Sequence, residues 1–120
     1  MNKEVQKDRP EPLEERTLRF AREVRAFVRP LPRGVITLED AKQLVRASGS
    51  VGANYIEANE SLSKKDFAMR IKICRKEVKE ARYWLALFDT LPSGLGSQRE
   101  RLIDEATQLL KIFSSIIAKL

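Results

Sequence analysis

The sequence predicts an all-α fold, an antiparallel up-down four-helix bundle. Three observations carry this. Proline and glycine gather at only a few places, Pro10 and Pro12, Pro30 to Gly34, and Leu91 to Gly96, so long stretches run without a helix breaker. Within those stretches apolar residues recur at helical spacing, and no window alternates with period two for long enough to form a strand. Three hydroxyl residues are each followed three positions later by an acid: Thr37 by Asp40, Ser63 by Asp66 and Ser97 by Glu100. A hydroxyl at that place accepts from a free N–H of the first turn, and an acid there sits at the positive helix end.

Residues 1–12 are charge-balanced and lack an apolar stretch, and they are expected to be a flexible N-terminal segment ahead of a bundle spanning 13–120. They do not read as a secretory signal. The first helix is expected from about Leu13 to Val28, with Leu13, Phe20, Ala21, Val24, Phe27 and Val28 inward. Its arginines, Arg16, Arg19, Arg22 and Arg25, step every three residues. Three is short of the helical 3.6, so this stripe winds around the helix and cannot face one partner. Pairing with Glu15, Glu23 or acids on the second helix is expected.

The second helix is expected from about Leu38 to Asn59, with Leu38, Ala41, Leu44, Val45, Val51, Tyr55 and Ile56 as its apolar positions. Its centre holds Gly49 and Gly52. Each glycine in a helix interior costs about 1 kcal/mol against alanine. Close approach of a neighbouring backbone is the natural offset, in preference to a hinge or a ligand cleft.

The third helix is expected from about Lys64 to Asp89. Phe67, Ile71, Cys74, Val78, Ala81, Leu85 and Phe88 form a seam spaced alternately four and three, a heptad pattern. On that seam Cys74 reads as a small buried apolar residue and not as a nucleophile. Off the seam lie Met69, Ile73, Tyr83, Trp84 and Leu87. The fourth helix, from about Gln98 to Ala118, is apolar over a wide arc through Leu102, Ile103, Ala106, Leu109, Leu110, Phe113, Ile116 and Ile117. A wider core stripe would use some of this surplus. Because a small monomer rarely exposes a large apolar patch, the off-seam set is read as a homo-oligomer interface.

Composition narrows the chemistry. The 120 residues include no histidine and one cysteine, which excludes His-based catalytic dyads, Cys-rich metal sites and an internal disulfide. Five glycines leave no phosphate-cradling loop, and no apolar run approaches the roughly 20 residues of a membrane span. No cofactor and no metal are expected, and the cytoplasm is the expected location. Net charge is +6. The excess sits on the first and third helices. On the third, Lys65, Lys72 and Lys79 share one heptad position opposite the seam, flanked by Arg75, Lys76 and Arg82. The like-charge pairs Lys72/Lys76 and Arg75/Lys79 at i, i+4 cost a few tenths of a kcal/mol each. A solvated face tolerates that. Lys65, Lys72, Arg75, Lys76 and Lys79 also suit a phosphate-binding stripe. Tyr83 and Trp84 are expected to pack and not to stack on bases.

Asn54, Glu57, Glu80 and Arg82 are polar residues embedded in otherwise helical segments. Glu57 and Glu80 would be the carboxylate pair of an acid–base or metal site. With arginine and lysine adjacent and no histidine, a structural salt-bridge network is the better reading, and no enzyme is expected.

The run from Ala47 to Ala58, ASGSVGANYIEA, together with SKKDF at Ser63–Phe67 and RKEVKEARYWL at Arg75–Leu85, resembles the 23S rRNA intervening-sequence protein family, also called the S23 family. Phe20-Ala21, Val24 and the Leu31-Pro32 break fit the same pattern, and the resemblance covers about residues 14 to 118. Val78, where alanine is common, and the arginine-rich first helix depart from it. The resemblance implies an up-down four-helix bundle assembled as a ring, typically a homopentamer. It also implies an association with nucleic acid or with a protein such as a reverse transcriptase, to which related bundles are accessory subunits. The expectation is therefore a non-enzymatic oligomer that contacts RNA or DNA through its basic surface. The alternative is an interaction scaffold with a protein partner and no nucleic-acid contact.

Overall fold

The computed structural model describes residues 11–120. It holds four helices, α1 (Leu13–Val28), α2 (Val35–Asn59), α3 (Lys64–Leu87) and α4 (Leu95–Ala118), and no strand among the described residues. Neighbours in sequence are neighbours in space, and α4 returns to touch α1. That is an up-down-up-down bundle joined by short turns. The expectation for residues 1–12 lies outside the described residues, except for Glu11 and Pro12.

Helix α1 has the bounds the apolar spacing predicts. The other starts correct the capping argument. Only Ser63 caps as expected, its hydroxyl accepting from the Asp66 N–H at 3.1 Å. Helix α2 begins at Val35 behind Gly34, before Thr37, and α4 begins at Leu95 behind Gly94. Ser97 lies inside the first turn of α4, where its hydroxyl donates to the Gly94 carbonyl at 3.1 Å. Gly94 has φ of 87°, a left-handed conformation that glycine adopts without steric cost. Helix α3 ends at Leu87, short of Asp89, and Arg99 donates to the Phe88 carbonyl across the α3–α4 turn.

The core follows the predicted seams. Ile71, Cys74, Val78, Ala81, Leu85 and Phe88 of α3 are buried with Phe20, Val24 and Phe27 of α1, Leu44 and Val51 of α2, and Leu102, Leu109 and Phe113 of α4. Phe27 and Phe88 meet edge to face with centroids 5.6 Å apart. Leu38 and Ile56, expected inward on α2, are 60% and 47% exposed. Ala41 is buried as expected, and Ala47, Ser48 and Ala58, outside the expected set, share the inward role on α2.

Thr17, a polar residue in an apolar row, is buried, and its hydroxyl donates to the Glu14 carbonyl at 3.0 Å. It meets Gly52, where an added Cβ would lie 2.9 Å from Thr17 Oγ1 and 3.3 Å from Thr17 Cβ. Close packing at Gly52 is therefore real, with the Thr17 side chain nearest and the Thr17 backbone carbon in ordinary contact at 3.8 Å. Gly49 does not fit that account. Its nearest neighbour is the far end of the Arg25 side chain at 3.4 Å, an ordinary contact.

Candidate nucleic-acid interface

The heptad that buries the α3 seam also fixes what the opposite face presents. Lys65, Lys72 and Lys79 form one exposed column. Beside it runs a column of Met69, Lys76 and Tyr83, and then one of Asp66, Ile73, Glu80 and Leu87. Lys65, Asp66, Ala68, Met69, Lys72, Ile73 and Lys76 line one open depression of about 520 Å³. Four predicted phosphate ligands, Lys65, Lys72, Lys76 and Lys79, are exposed, and Arg75 is half-buried on the flank towards α4. None of the five enters an ion pair among the described residues.

Two of the four α1 arginines behave differently, while Arg22 and Arg25 enter no ion pair among the described residues. Arg16 donates to both carboxylate oxygens of Glu105 at 2.7 and 2.8 Å. Arg19 pairs with Glu11 at 2.9 Å, Glu23 at 3.1 Å and Glu105 at 3.3 Å. Glu23 pairs as expected, the cross-helix acid is Glu105 on α4 and not an acid of α2, and Glu15 takes no part among the described residues. Basic charge on α1 is largely neutralised at these two positions, whereas that on the outer face of α3 is not.

The predicted apolar interface set is not one patch. Met69 and Ile73 share the lysine-lined depression, Tyr83 and Leu87 lie higher on the same face, and Trp84 packs partly buried against the core. Of the two rings expected to pack only Trp84 does, since Tyr83 is 59% exposed and meets Trp84 edge to face, centroids 5.2 Å apart.

The predicted polar network resolves into separate contacts. Asn54 accepts from Arg70 at 3.1 Å, Glu80 accepts from Arg46 at 3.2 Å, and Arg82 donates to Thr107 at 3.3 Å. Glu57 is exposed and joins none of them, so the structure forms no Glu57–Glu80 carboxylate pair. Among the described residues no group of acids and cysteine is arranged to hold a metal ion.

Sequence reasoning missed Glu77, Arg46 and Arg70. Glu77 is 5% exposed, and its Oε2 lies 3.6 Å from Arg46, beyond hydrogen-bond reach and with no other partner. Burial raises its pKa, only partly opposed by Arg46. Its position two turns from Arg70 on the α2-facing flank was the available signal. Cys74 is buried as expected. Its thiol points to the Val51 carbonyl at 3.5 Å, and burial pushes its pKa up to about 12. No described helix is long and apolar enough to cross a membrane.

Comparison with known proteins supplies a family. A family model described as 23S rRNA-intervening sequence protein matches residues 14–115. Among solved structures, a crystal structure from Bacteroides thetaiotaomicron, described as a protein with unknown function from the S23 ribosomal protein family, matches with a TM-score of 0.73 and 26% identity. The match covers 88% of this chain and 98% of that one. No curated protein matches.

Proposed function

The chain belongs to the 23S rRNA-intervening sequence protein family, and on that premise we propose that it is a non-enzymatic, oligomeric bundle that contacts RNA through the outer face of α3. One observation carries the reading. Four exposed lysines share that face without an ion-pair partner among the described residues, while the paired arginines of α1 carry little free charge. Phosphate contacts of this kind are electrostatic and indifferent to sequence. Charge alone does not separate RNA from DNA, and RNA is taken as the polyanion to be tested first.

The same face bears on assembly. Burying unpaired lysines against a second copy would be costly unless acids opposed them. The subunit contact is therefore assigned away from α3, to exposed apolar residues of α1 and α2. Leu18 and Ile56 flank a groove between those helices, and Val35, Ile36 and Leu38 open the first turns of α2. A closed ring would repeat the lysine face around its rim and turn weak contacts into avidity.

The test is a salt titration of a labelled RNA by fluorescence anisotropy, wild type beside Lys72→Gln/Lys76→Gln/Lys79→Gln. The triple variant should keep its helicity and bind more weakly. Its slope of log affinity against log salt should be shallower by about 0.7 for each phosphate that is no longer neutralised. Equal slopes would remove these lysines from the interface. The presence of Met69 and Ile73 among the lysines favours one second reading, a protein partner with an acidic, apolar surface. Absence of RNA binding at low salt would select it.

A further inference from the structure

The outer face of α3 is not uniformly basic. Its central column runs Met69, Lys76, Tyr83, with Lys72 and Lys79 alongside. Met69 is 50% exposed and Tyr83 59%. A surface that served only phosphates would gain nothing from a solvated tyrosine ring between lysines. The Tyr83 ring is also steadied: it packs on Trp84 at an interplanar angle of 78° and a centroid distance of 5.2 Å. Trp84 is itself packed against the core. An edge-to-face contact of this kind leaves a face of the Tyr83 ring open. Lys76 and Lys79 precede Tyr83 by seven and four residues, so both lie on its side of the helix, within about two turns.

Cations that follow a backbone, with an exposed, supported aromatic ring among them, make up the arrangement that holds an unpaired strand. Every base has a π-face to stack, whereas in a duplex those faces are already stacked on one another. We infer that the outer face of α3 is a track for single-stranded RNA, with a base stacked on Tyr83 and the adjoining phosphates on Lys72, Lys76 and Lys79. Met69 and Ile73 give apolar contact to bases further along the same strand. This rests on the RNA reading above and adds to it the class of RNA bound and a ligand that is not a cation. The fit is one of charge as well as shape. Of the acids on this face, Glu80 is engaged by Arg46, which leaves Asp66 to oppose the lysines.

The experiment compares one mixed-sequence 15-mer RNA free of self-pairing with the same strand annealed to its complement, by anisotropy at fixed salt. Wild type, Tyr83→Ala, Tyr83→Phe and the triple lysine variant are measured side by side. Wild type should bind the single strand more tightly than the duplex. Tyr83→Ala should weaken single-strand binding about 5- to 150-fold, the range of one stacked base, with an unchanged salt slope and unchanged duplex binding. Tyr83→Phe should bind as wild type does. Circular dichroism and sedimentation of Tyr83→Ala should match wild type, as suits an exposed side chain. If Tyr83→Ala binds the single strand as wild type does while the lysine variant weakens, the stacking track is wrong and the phosphate reading survives. A similar weakening on duplex and single strand would also overturn it, since stacking is specific to unpaired bases. If wild type binds neither RNA at low salt, both readings fall together.

Discussion

The two outer edges of the bundle are built on opposite principles. At α2–α3, small residues on α2 lie against the heptad seam of α3, and these helices share the most extensive contact in the molecule. A single buried acid, Glu77, lies on that side, incompletely paired. At α1–α4, the least extensive contact, the helices are joined by a bidentate Arg16–Glu105 pair with Arg19 as a second donor to Glu105. One edge rests chiefly on packing, which salt does not screen, with the more exposed Arg46–Glu80 pair at its rim. The other rests on ion pairs that are 14% to 42% exposed, which salt does weaken. A four-helix bundle can thus be closed by quite different chemistry at its two edges. The field it shows to polyanions depends on which cations the closing edge consumes.

The comparison can be broken most severely at the packed edge. Ile71→Ala should destabilise the fold by about 2–4 kcal/mol in urea unfolding, because it leaves a cavity in the seam. A change under 1 kcal/mol would mean that the α2–α3 edge is loosely packed. Gly52→Leu should cost about 1–3 kcal/mol through overpacking against Thr17, whereas Gly49→Ala should be neutral or slightly stabilising. A thermal melt in which Gly52→Leu is unchanged would show that α1 and α2 can part there without penalty.

At the ionic edge, Glu105→Gln should cost about 1 kcal/mol in low salt, with much of that penalty gone in molar salt. A penalty that salt leaves untouched would place Glu105 in a packing role. Glu77→Gln should act in the other direction. An acid whose native pKa is raised above its unfolded value near 4.5 contributes stability that is complete below that value and is lost as pH climbs through the native one. The variant should therefore be more stable than wild type at neutral pH, and the gap should close as pH falls towards 4. A gap that persists in acid would tie the effect to packing and not to the charge.

What the sequence made legible follows from periodicity. The α3 heptad located its buried row and, by subtraction, the face that carries Lys65, Lys72 and Lys79. Pro30 to Gly34 and Leu91 to Gly96 located two turns. Helix starts were less legible, because a hydroxyl followed by an acid also occurs inside a first turn, as Thr37 and Ser97 do. Gly34 and Gly94, directly ahead of the true starts, were the better guides. Thr17 and Glu77 escaped because burial of a polar residue depends on what faces it. Thr17 is buried because Gly52 lies opposite, and Glu77 because it lies on the flank that α2 covers. Glu105 escaped for a similar reason, since its partner Arg16 lies at the other end of the chain.

That last separation sets an order of events. Arg16 and Glu105 are 89 residues apart, while the α2–α3 contacts Asn54–Arg70, Val51–Cys74 and Arg46–Glu80 join residues 16, 23 and 34 apart. Local contacts close small loops and form early, and distant ones wait for the chain to condense. The α2–α3 hairpin should therefore be the nucleus, with the α1–α4 clasp fastening after the barrier is crossed. In stopped-flow measurements Ile71→Ala should chiefly slow refolding, and Glu105→Gln should leave refolding alone and hasten unfolding. The clasp governs how long the native state lasts once formed, so ionic strength should act as a brake or a release on its lifetime.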